Sequence, residues 1–435
     1  MLKAGFARSD ITPPLGTFLS GSYNARYAKG VLDPLELNAI AFSDGETTDL
    51  LITADLIGVD RVTCNSLREE ISSATGVEID HIMLTALHQH TSYSFLDMQF
   101  KKSRGEQILP NDELYNKMLR IKYCDVAKMA LDDMAEASLF YGEEETAVQI
   151  AFIRRYYMTD GTVATNPWNR VSEIVRPCET PDNTVRLLRF TREGKKDIAL
   201  VNFCTHPDVI GGEYLSADWP GFVRRYVEGD LENVSCLLLN GVQGDSNHFD
   251  WINNPRKDYE HSSHMGRVIA DVVLKLWDAL ETEENTCVCG AVDTVVLPTR
   301  TEGMERYDEC VRFLQDNAAN KLSYKPTGAE LGGAARVRRL RTAPLFQHLP
   351  VSVLRIGRHV LVGFGGEPFT HYGIAVRAAC PDVNVITACC ANGYEGYLPT
   401  AEAFAEGGYE GNSSPFPPEL EEKCVEAAVR LINGK

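Results

Sequence analysis

An apolar segment that ends in two histidines is the feature that most constrains how this chain can fold. Residues 82–87 are apolar over the length of a strand, and His88 and His90 follow, one residue apart. In an extended strand, residues i and i+2 point to the same face, so both imidazoles are expected to point the same way. They can bind one metal together, or one can bind while the other lies beside the ion. Exposed loop histidines are the alternative interpretation.

Strand-like and amphipathic segments alternate around this stretch. Strands are predicted at 35–42, 49–54 and 82–87, and an amphipathic helix at 61–75. A strand, a helix and a strand in succession indicate a parallel crossover, in which ligands bind beyond the carboxyl ends of the strands. The pattern therefore predicts an α/β fold with a layered, mixed β-sheet core flanked by helices.

The same alternation continues along the chain. Further strands are predicted at 147–153, 185–190, 198–204, 235–240, 351–356, 359–364 and 383–388, and further helices at 113–137, 217–229, 262–280, 372–379 and 418–431. Region 301–345 is charged and partly helical, with a mobile loop expected at 328–335. Because no repeat or linker interrupts the pattern, residues 1–435 are predicted to form a single domain, with 301–345 as a mobile insert.

Charge and hydropathy narrow the class of partner. The 435-residue chain carries a net charge of −18, which repels phosphate backbones and anionic lipid headgroups. Neither nucleic-acid binding nor stable membrane insertion is expected, since no spanning run of about eighteen apolar residues occurs. The N-terminal segment lacks the apolar run of a signal peptide, which favours a cytoplasmic location. The sequence does not indicate an oligomeric state.

The twelve cysteines do not follow the spacing of a known metal or redox motif. The closest pairs, Cys287 with Cys289 and Cys389 with Cys390, lack the C-x-x-C spacing. The others are scattered through apolar segments. The cysteines are therefore expected to be reduced, and most of them to be buried as small hydrophobic residues.

Four segments share one pattern, in which an apolar strand ends beside a residue able to bind metal. The residues are His88, His206, Glu367, and either Tyr394 or Tyr397. Two imidazoles, a carboxylate and a further oxygen suit zinc, and a water or substrate can take another position. Taken singly, each residue also has an ordinary role, as a strand-end histidine, a helix cap or a packing tyrosine.

His261 and His264 form a second pair that could bind metal. They lie three residues apart on a predicted helix, a spacing that places both side chains on one face. No strand end lies beside them in the sequence. They are therefore assigned to an ordinary helix face.

Eight motifs in order along the chain resemble those of the neutral/alkaline (non-lysosomal) ceramidase family. They are Asp10-Ile-Thr-Pro-Pro, His88-Gln-His90, Arg154 with Asn166-Pro167, Thr205-His206-Pro207, Ser216-Ala-Asp-Trp-Pro-Gly, Gln243-Gly-Asp245, Gly366-Glu367-Pro-Phe, and Tyr394-x-x-Tyr397 with Tyr409-Glu410-Gly411. The resemblance covers residues 2–411. It implies the fold of the family's catalytic domain, without the C-terminal β-sandwich domain that typical members add.

The resemblance implies a zinc-dependent hydrolase that cleaves an amide (N-acyl) bond, with one zinc ion per chain. The metal ligands that it implies are His88, His206, Glu367 and Tyr397, with Tyr394 as the alternative tyrosine. The expected substrate is a small-molecule or lipid-like N-acyl compound, which need not be ceramide.

The resemblance also assigns residues to catalysis. It places His90 beside the metal, where it can take and return a proton, and Arg154 and Tyr409 around the substrate carbonyl. Asp245 and Asp218 are expected to support the metal-bound histidines, which usually donate their second N–H to a carboxylate or carbonyl. Helix capping is the alternative role of Asp218.

The chain departs from the family at one serine that has been assigned to catalysis. Where the family has G-D-x-S-P-N, Asn247 stands at the serine position and Ser246 precedes it. Two alternative functions stay open. One is a catalytically silent relative with a structural zinc or a ligand-binding role. The other is a two-metal amidohydrolase in which His88 and His90 both bind directly.

Overall fold

A computed structural model describes residues 1–21, 25–96, 109, 111–253 and 256–434. A nine-stranded and a four-stranded sheet dominate the fold. The strands of the nine-stranded sheet are β1 (Lys3–Asp10), β2 (Glu36–Ser43), β3 (Thr48–Ala54), β4 (Ile82–Ala86), β5 (Ala135–Glu145), β6 (Thr184–Arg192), β7 (Asp197–Phe203), β8 (Val234–Asn240) and β9 (Glu281–Glu283). Those of the four-stranded sheet are β10 (Val288–Pro298), β11 (Phe346–Ile356), β12 (His359–Phe364) and β13 (Asn384–Ala388).

Helices form the outer layers. They are α1 (Arg61–Thr75), α2 (Asp112–Asp132), α3 (Asp218–Asp230), α4 (Tyr259–Leu276), α5 (Tyr307–Ala318), α6 (Gly328–Arg339), α7 (Thr370–Ala379), α8 (Ala401–Glu406), α9 (Gly408–Ser413) and α10 (Leu420–Ile432). Single 3₁₀ turns lie at Ile79–His81, Val171–Glu173 and Met304–Arg306. Short strands lie at Phe18–Leu19, Arg26–Tyr27, Gly30–Val31, Gly58–Val59, Ser94–Phe95, Phe152–Ile153, Arg155–Met158, Val163–Thr165, Ile174–Pro177, Tyr214–Leu215, Ser246–Asn247, Glu367–Pro368 and Tyr397–Leu398.

The two large sheets pack face to face, because their strands are apolar on both faces. In β2, Ile40 and Phe42 belong to the core between the sheets, together with Leu361 of β12. The alternate residues Leu37 and Ala39 belong to a second core against α1 and α2. Burial of both faces explains why such strands read as continuous apolar runs rather than as an alternating pattern.

The remaining helices cover the other outer surfaces. α3 and α4 pack on the outer face of β6–β8, and α7 and α10 pack on the outer face of the four-stranded sheet. The order of layers is therefore helix, sheet, sheet, helix, which confirms the predicted layered mixed-sheet core flanked by helices. Across the described part of the chain, no helix is both long and apolar enough to cross a membrane.

Three parallel strand pairs bring the candidate site residues to one edge of the fold. The pairs are β3 with β4, β7 with β8, and β12 with β13. β4 leads to His88, β7 to His206 and β12 to Glu367. The two sheets also join at this edge, where the N–H of Cys389 donates to the carbonyl of Asn240 at 2.9 Å. The site therefore lies at the carboxyl ends of strands from both sheets.

Two predictions are wrong here: the end of helix α2 and the length of a strand that follows it. The helix expected at 113–137 ends at Asp132, and β5 begins at Ala135. Apolar residues continue across this junction at helical spacing, but Ala137 and Leu139 pair with β6 instead. The strand expected at 147–153 is reduced to Phe152–Ile153.

The prediction of a mobile loop at 328–335 is also wrong, because helix α6 begins at Gly328. The Oγ1 of Thr327 accepts a hydrogen bond from the N–H of Glu330 at 3.2 Å, and the Glu330 carboxylate accepts one from the N–H of Thr327 at 2.8 Å. This capping box satisfies the exposed donors of the first turn. It stabilises a helix start that Gly328 alone disfavours.

Candidate metal centre

His88 lies beyond the end of the strand, in a left-handed backbone conformation. β4 ends at Ala86, and His88 has a φ of 76°, which non-glycine residues rarely adopt. Its backbone N–H donates to the carbonyl of Leu56 at 2.9 Å, and its Nδ1 lies 2.6 Å from the carbonyl of Ile57. The rings of His88 and His90 do converge, with centroids 5.1 Å apart. The predicted cause, alternation along a strand, is therefore wrong.

His206 follows β7, and the loop after β8 holds its ring. The Nδ1 atom lies 2.7 Å from the carbonyl oxygen of Gln243 and 3.0 Å from that of Ser246. A carbonyl oxygen can only accept, so Nδ1 carries the proton in His206, as it does in His88. In a neutral imidazole the other nitrogen, Nε2, then presents a lone pair.

Glu367 places a carboxylate oxygen between these two lone pairs. Its buried Oε2 lies 3.2 Å from Nε2 of His88 and 3.1 Å from Nε2 of His206. Burial opposes ionisation of Glu367, but the adjacent His88 and His206 hold its pKa well below the ordinary value. Burial, and then Arg154, lowers the pKa of His206, which favours its neutral form. With both imidazoles neutral, the three atoms face one another as acceptors, an arrangement that a bound cation would complete.

His90 completes a three-histidine group with His88 and His206. One ring nitrogen from each lies within 4.8 Å of the others, and no comparable group of histidine, cysteine or acidic residues occurs among the described residues. Burial, and then His88, lowers the pKa of His90 well below its ordinary value. Its buried Nε2 has no hydrogen-bond partner in the described chain. His261 and His264 lie on α4, outside this group.

The residues present fit a bound metal ion. Imidazole nitrogens and a carboxylate oxygen are usual zinc ligands, and catalytic sites combine three such protein ligands with an open position. The Nδ1 atoms of His88 and His206 both face carbonyl oxygens, the arrangement that fixes the ring orientation of metal-bound histidines. The unpartnered Oε2 of Glu367 is a buried polar atom that such an ion would satisfy.

Both predicted tyrosines lie next to the three-histidine group. The ring centroid of Tyr394 lies 5.4 Å from that of His88, and the ring centroid of Tyr397 lies 6.4 Å from that of His206. The backbone of Tyr397 also pairs with that of Glu367. Burial, and then Glu367, raises the pKa of the Tyr397 hydroxyl well above its ordinary value. Tyr397 as the fourth ligand stays a prediction.

Arg154 borders the centre on the side of His206. Its Nη1 lies 3.4 Å from Nε2 of His206, and its Cζ lies 5.2 Å from the ring centroid of Tyr397. Nε donates to Oε1 of Glu410 at 2.8 Å, and Nη2 donates to the carbonyl of Gly244 at 2.6 Å. These bonds fix the guanidinium beside the centre.

Glu410 is a buried carboxylate to which the sequence motifs assigned no role. Besides Arg154, it accepts from Nη1 of Arg155 at 3.2 Å and from Oγ1 of Thr165 at 2.8 Å. Burial opposes ionisation, but Arg154 and Arg155 hold the pKa of Glu410 below its ordinary value. Two adjacent arginines in a buried segment and the Tyr409-Glu410-Gly411 motif were the available signals.

Tyr409 lies on α9, next to Glu410 and on the same side of the centre as Arg154. Its ring centroid lies 5.2 Å from that of Tyr397. Its backbone N–H donates to Oγ1 of Thr165 at 3.3 Å, the same hydroxyl that donates to Glu410. The structure therefore brings the predicted pair Arg154 and Tyr409 together around Tyr397.

Asp245 and Asp218 do not support the histidines as expected. Oδ1 of Asp245 accepts from the N–H and the hydroxyl of Thr370, each at 2.8 Å, at the start of α7. Burial raises the pKa of Asp245 to about 6. Oδ1 of Asp218 accepts from the hydroxyl of Ser262 at 2.6 Å. This expectation is wrong because backbone carbonyls already face Nδ1 of both predicted histidine ligands.

The residues at the altered serine motif support the site from outside. Ser246 contributes its carbonyl to His206, while its Oγ lies 3.3 Å from Oγ1 of Thr205. Nδ2 of Asn247 donates to Oδ1 of Asn166 at 2.9 Å. The described side-chain hydrogen bonds of Ser246 and Asn247 go to Thr205 and Asn166, not to the three-histidine group.

A mixed-sheet fold with three histidines and a glutamate converging at its strand ends defines a candidate metalloenzyme. Among solved structures, the chain is similar to neutral ceramidase from Pseudomonas aeruginosa, with a TM-score of 0.73 and 16% identity over 100% of this chain and 75% of that chain. A ceramidase complexed with C2 gives the same values. No model of a known protein family and no curated protein matches the sequence. The chain has a neutral ceramidase-like fold, as its motifs predicted.

Proposed function

We propose that this chain is a zinc-dependent hydrolase of amide bonds, with the ion held by His88, His206, Glu367 and Tyr397. The observation that carries the proposal is the approach of two imidazole lone pairs to one buried carboxylate oxygen, at 3.2 and 3.1 Å. The ceramidase-like fold supports the choice of an amide, because the similar solved structures are ceramidases.

Each residue near the centre has a proposed task. A bound zinc ion would supply Lewis acidity, which activates water near neutral pH and polarises a carbonyl. His90 would accept a proton from that water and return it to the leaving amine, since burial favours its neutral form. Arg154 and Tyr409 would stabilise the negative charge that develops on the substrate oxygen. Because Arg154 is already fixed by Glu410 and Gly244, it needs little rearrangement.

The proposed substrate is a small-molecule or lipid-like N-acyl compound. Ceramide, for which the similar structures are named, is one member of this class. The test is hydrolysis of N-acyl amides with and without a long acyl chain, before and after removal of metal with a chelator. Amine release that is lost with the chelator and restored by zinc is expected. No release from any amide by the zinc-loaded protein would contradict the proposal.

A second candidate keeps the hydrolase but makes His90 a metal ligand, with one or two ions bound. One observation favours it: a ring nitrogen of His90 lies within 4.8 Å of a ring nitrogen of His88 and of His206. The metal content of a His90→Ala variant distinguishes the two candidates. Retained zinc supports a proton-transfer role, whereas loss of zinc supports direct ligation.

A further inference from the structure

α9 links the candidate centre to the region 301–345. It has six residues, and its inner side carries Tyr409 against Tyr397 and Glu410 against Arg154. Just beyond it, the hydroxyl of Ser414 donates to the carbonyl of Tyr397 at 3.0 Å. A helix this short is not stable alone, so its position depends on the elements packed against it.

Three arginines hold the carboxyl end of α9 from the outer side. The hydrogen bonds run from Arg300 Nη1 to the carbonyl of Gly411 at 2.5 Å, from Arg336 Nε to that of Asn412 at 3.0 Å, and from Arg339 Nη2 to that of Ser413 at 3.4 Å. The last carbonyls of a helix lack partners within the helix and carry its negative end, so cationic donors stabilise them. Two of these arginines lie on α6.

The ring of Tyr409 rests directly on the main chain of α6. A Cβ atom on Gly332 would lie 3.0 Å from both Cδ2 and Cε2 of Tyr409 and 3.0 Å from Cβ of Ser413. A Cβ atom on Gly328, one turn earlier, would lie 3.6 Å from the same ring. A side chain at Gly332 would therefore require Tyr409, Ser413 or α6 to shift by a few tenths of an ångström.

We propose that α6 is a positioning element for the candidate centre, with Gly332 as its key residue. By seating Tyr409 and binding the end of α9, it sets the position of Glu410 and so of Arg154. This inference rests on the proposed function for its effect on rate, but its structural part does not. Region 301–345 thereby acts as a support behind the site.

Gly332→Ala and Gly333→Ala form a matched pair that tests this proposal. Both place alanine in the same helix and raise its helix propensity equally. A Cβ on Gly333, however, meets only Cβ of Asn412 at 3.6 Å, an ordinary contact. The kcat of amide hydrolysis should fall about tenfold in Gly332→Ala, because small misplacements of catalytic groups lower the rate. Zinc content and Tm should be retained. Gly333→Ala should match the wild type.

Hydrogen exchange tests the structural part without any activity. Amides of residues 408–414 should exchange faster in Gly332→Ala than in Gly333→Ala or the wild type, as followed by mass spectrometry. Equal exchange in all three proteins would overturn the positioning role of α6. If the wild type cleaves no amide, the proposed function fails, and exchange still decides whether α6 positions α9.

A double-mutant cycle tests whether Gly332 acts through Tyr409. If Gly332→Ala displaces the Tyr409 hydroxyl, its effect on kcat should shrink in a Tyr409→Phe background, since that hydroxyl is already gone. An equal loss in both backgrounds would overturn the step through Tyr409. A general loss of stability would not produce the expected coupling.

Discussion

The two sides of the candidate site differ in how their buried polar groups are paired. On the histidine side, Nε2 of His88 and of His206 faces Oε2 of Glu367, so acceptor faces acceptor. On the other side, Nε of Arg154 donates to Glu410 at 2.8 Å, so a cation faces an anion. With neutral imidazoles, the first arrangement lacks a donor to Oε2 of Glu367, whereas the second is complete within the chain.

This difference in pairing distinguishes residues that bind a ligand from residues that position other side chains. Buried groups that lack a complementary partner are costly, so they indicate a site that a ligand completes. Buried groups that are fully paired hold a geometry and bind nothing further. Substitutions on the histidine side should therefore change metal content, and substitutions on the Arg154 side should change rate while metal is retained.

The largest effect is expected from His88→Ala and His206→Ala. Each removes a nitrogen from the acceptor cluster, so both variants should lose zinc, and kcat/KM should fall at least about 1,000-fold. Mass spectrometry of metal content and an amide-release assay measure both effects. His264→Ala on α4 is the matched control and should keep zinc and rate. Full zinc content in either site variant would contradict the ligand assignment.

His90→Ala should give the next largest effect. Its proposed role is proton transfer, so the variant should keep zinc while kcat falls about 100-fold. Metal content and kcat should be measured on the same preparation. Loss of zinc as complete as in His88→Ala would show that His90 is a ligand instead.

Glu410→Gln should affect the paired side of the site. Breaking a buried ion pair leaves Arg154 and Arg155 without their shared carboxylate, which should lower the free energy of unfolding by about 3 kcal/mol. It should also lower kcat about tenfold with zinc retained, because Arg154 loses its orientation. Steady-state kinetics and urea unfolding measure the two effects.

Glu406→Gln is the control for Glu410→Gln. Glu406 binds Nη2 of Arg155 at 3.0 Å, is partly exposed, and makes no described bond to Arg154. Its loss should therefore leave kcat unchanged. Equal kinetic effects of the two variants would contradict a specific role of Glu410 in positioning Arg154.

The smallest effect on activity is expected from Asp245→Asn, which should change stability alone. The folded-state pKa of Asp245 is raised to about 6 from 3.8, so its contribution to stability is present at low pH and lost as the pH rises through about 6. The variant should gain about 2 kcal/mol relative to the wild type between pH 4 and pH 7 in urea unfolding. A parallel pH dependence of both proteins would contradict the raised pKa.

The strand ends of the site could be predicted because their signal is local. His88, His206 and Glu367 each follow a run of apolar residues, and strands buried on both faces give such runs. The φ of 76° at His88 could not be predicted, since residues 56 and 57 hold the His88 backbone and ring from a separate segment of chain.

Other parts of the site depend on contacts between distant residues. Arg154 and Glu410 are 256 residues apart, so no local pattern joins them. α6 was predicted as a loop because its glycines lower helix propensity, whereas its capping box and its packing on α9 decide the structure. Tertiary contacts thus override the local preference at the positions that support the site.

We propose above all that the three-histidine side of the site binds one zinc ion. The most direct test is the metal content per chain, measured by mass spectrometry on protein purified without added metal or chelator. We expect one zinc ion per chain. The absence of any transition metal, even after zinc is offered at neutral pH, would contradict it.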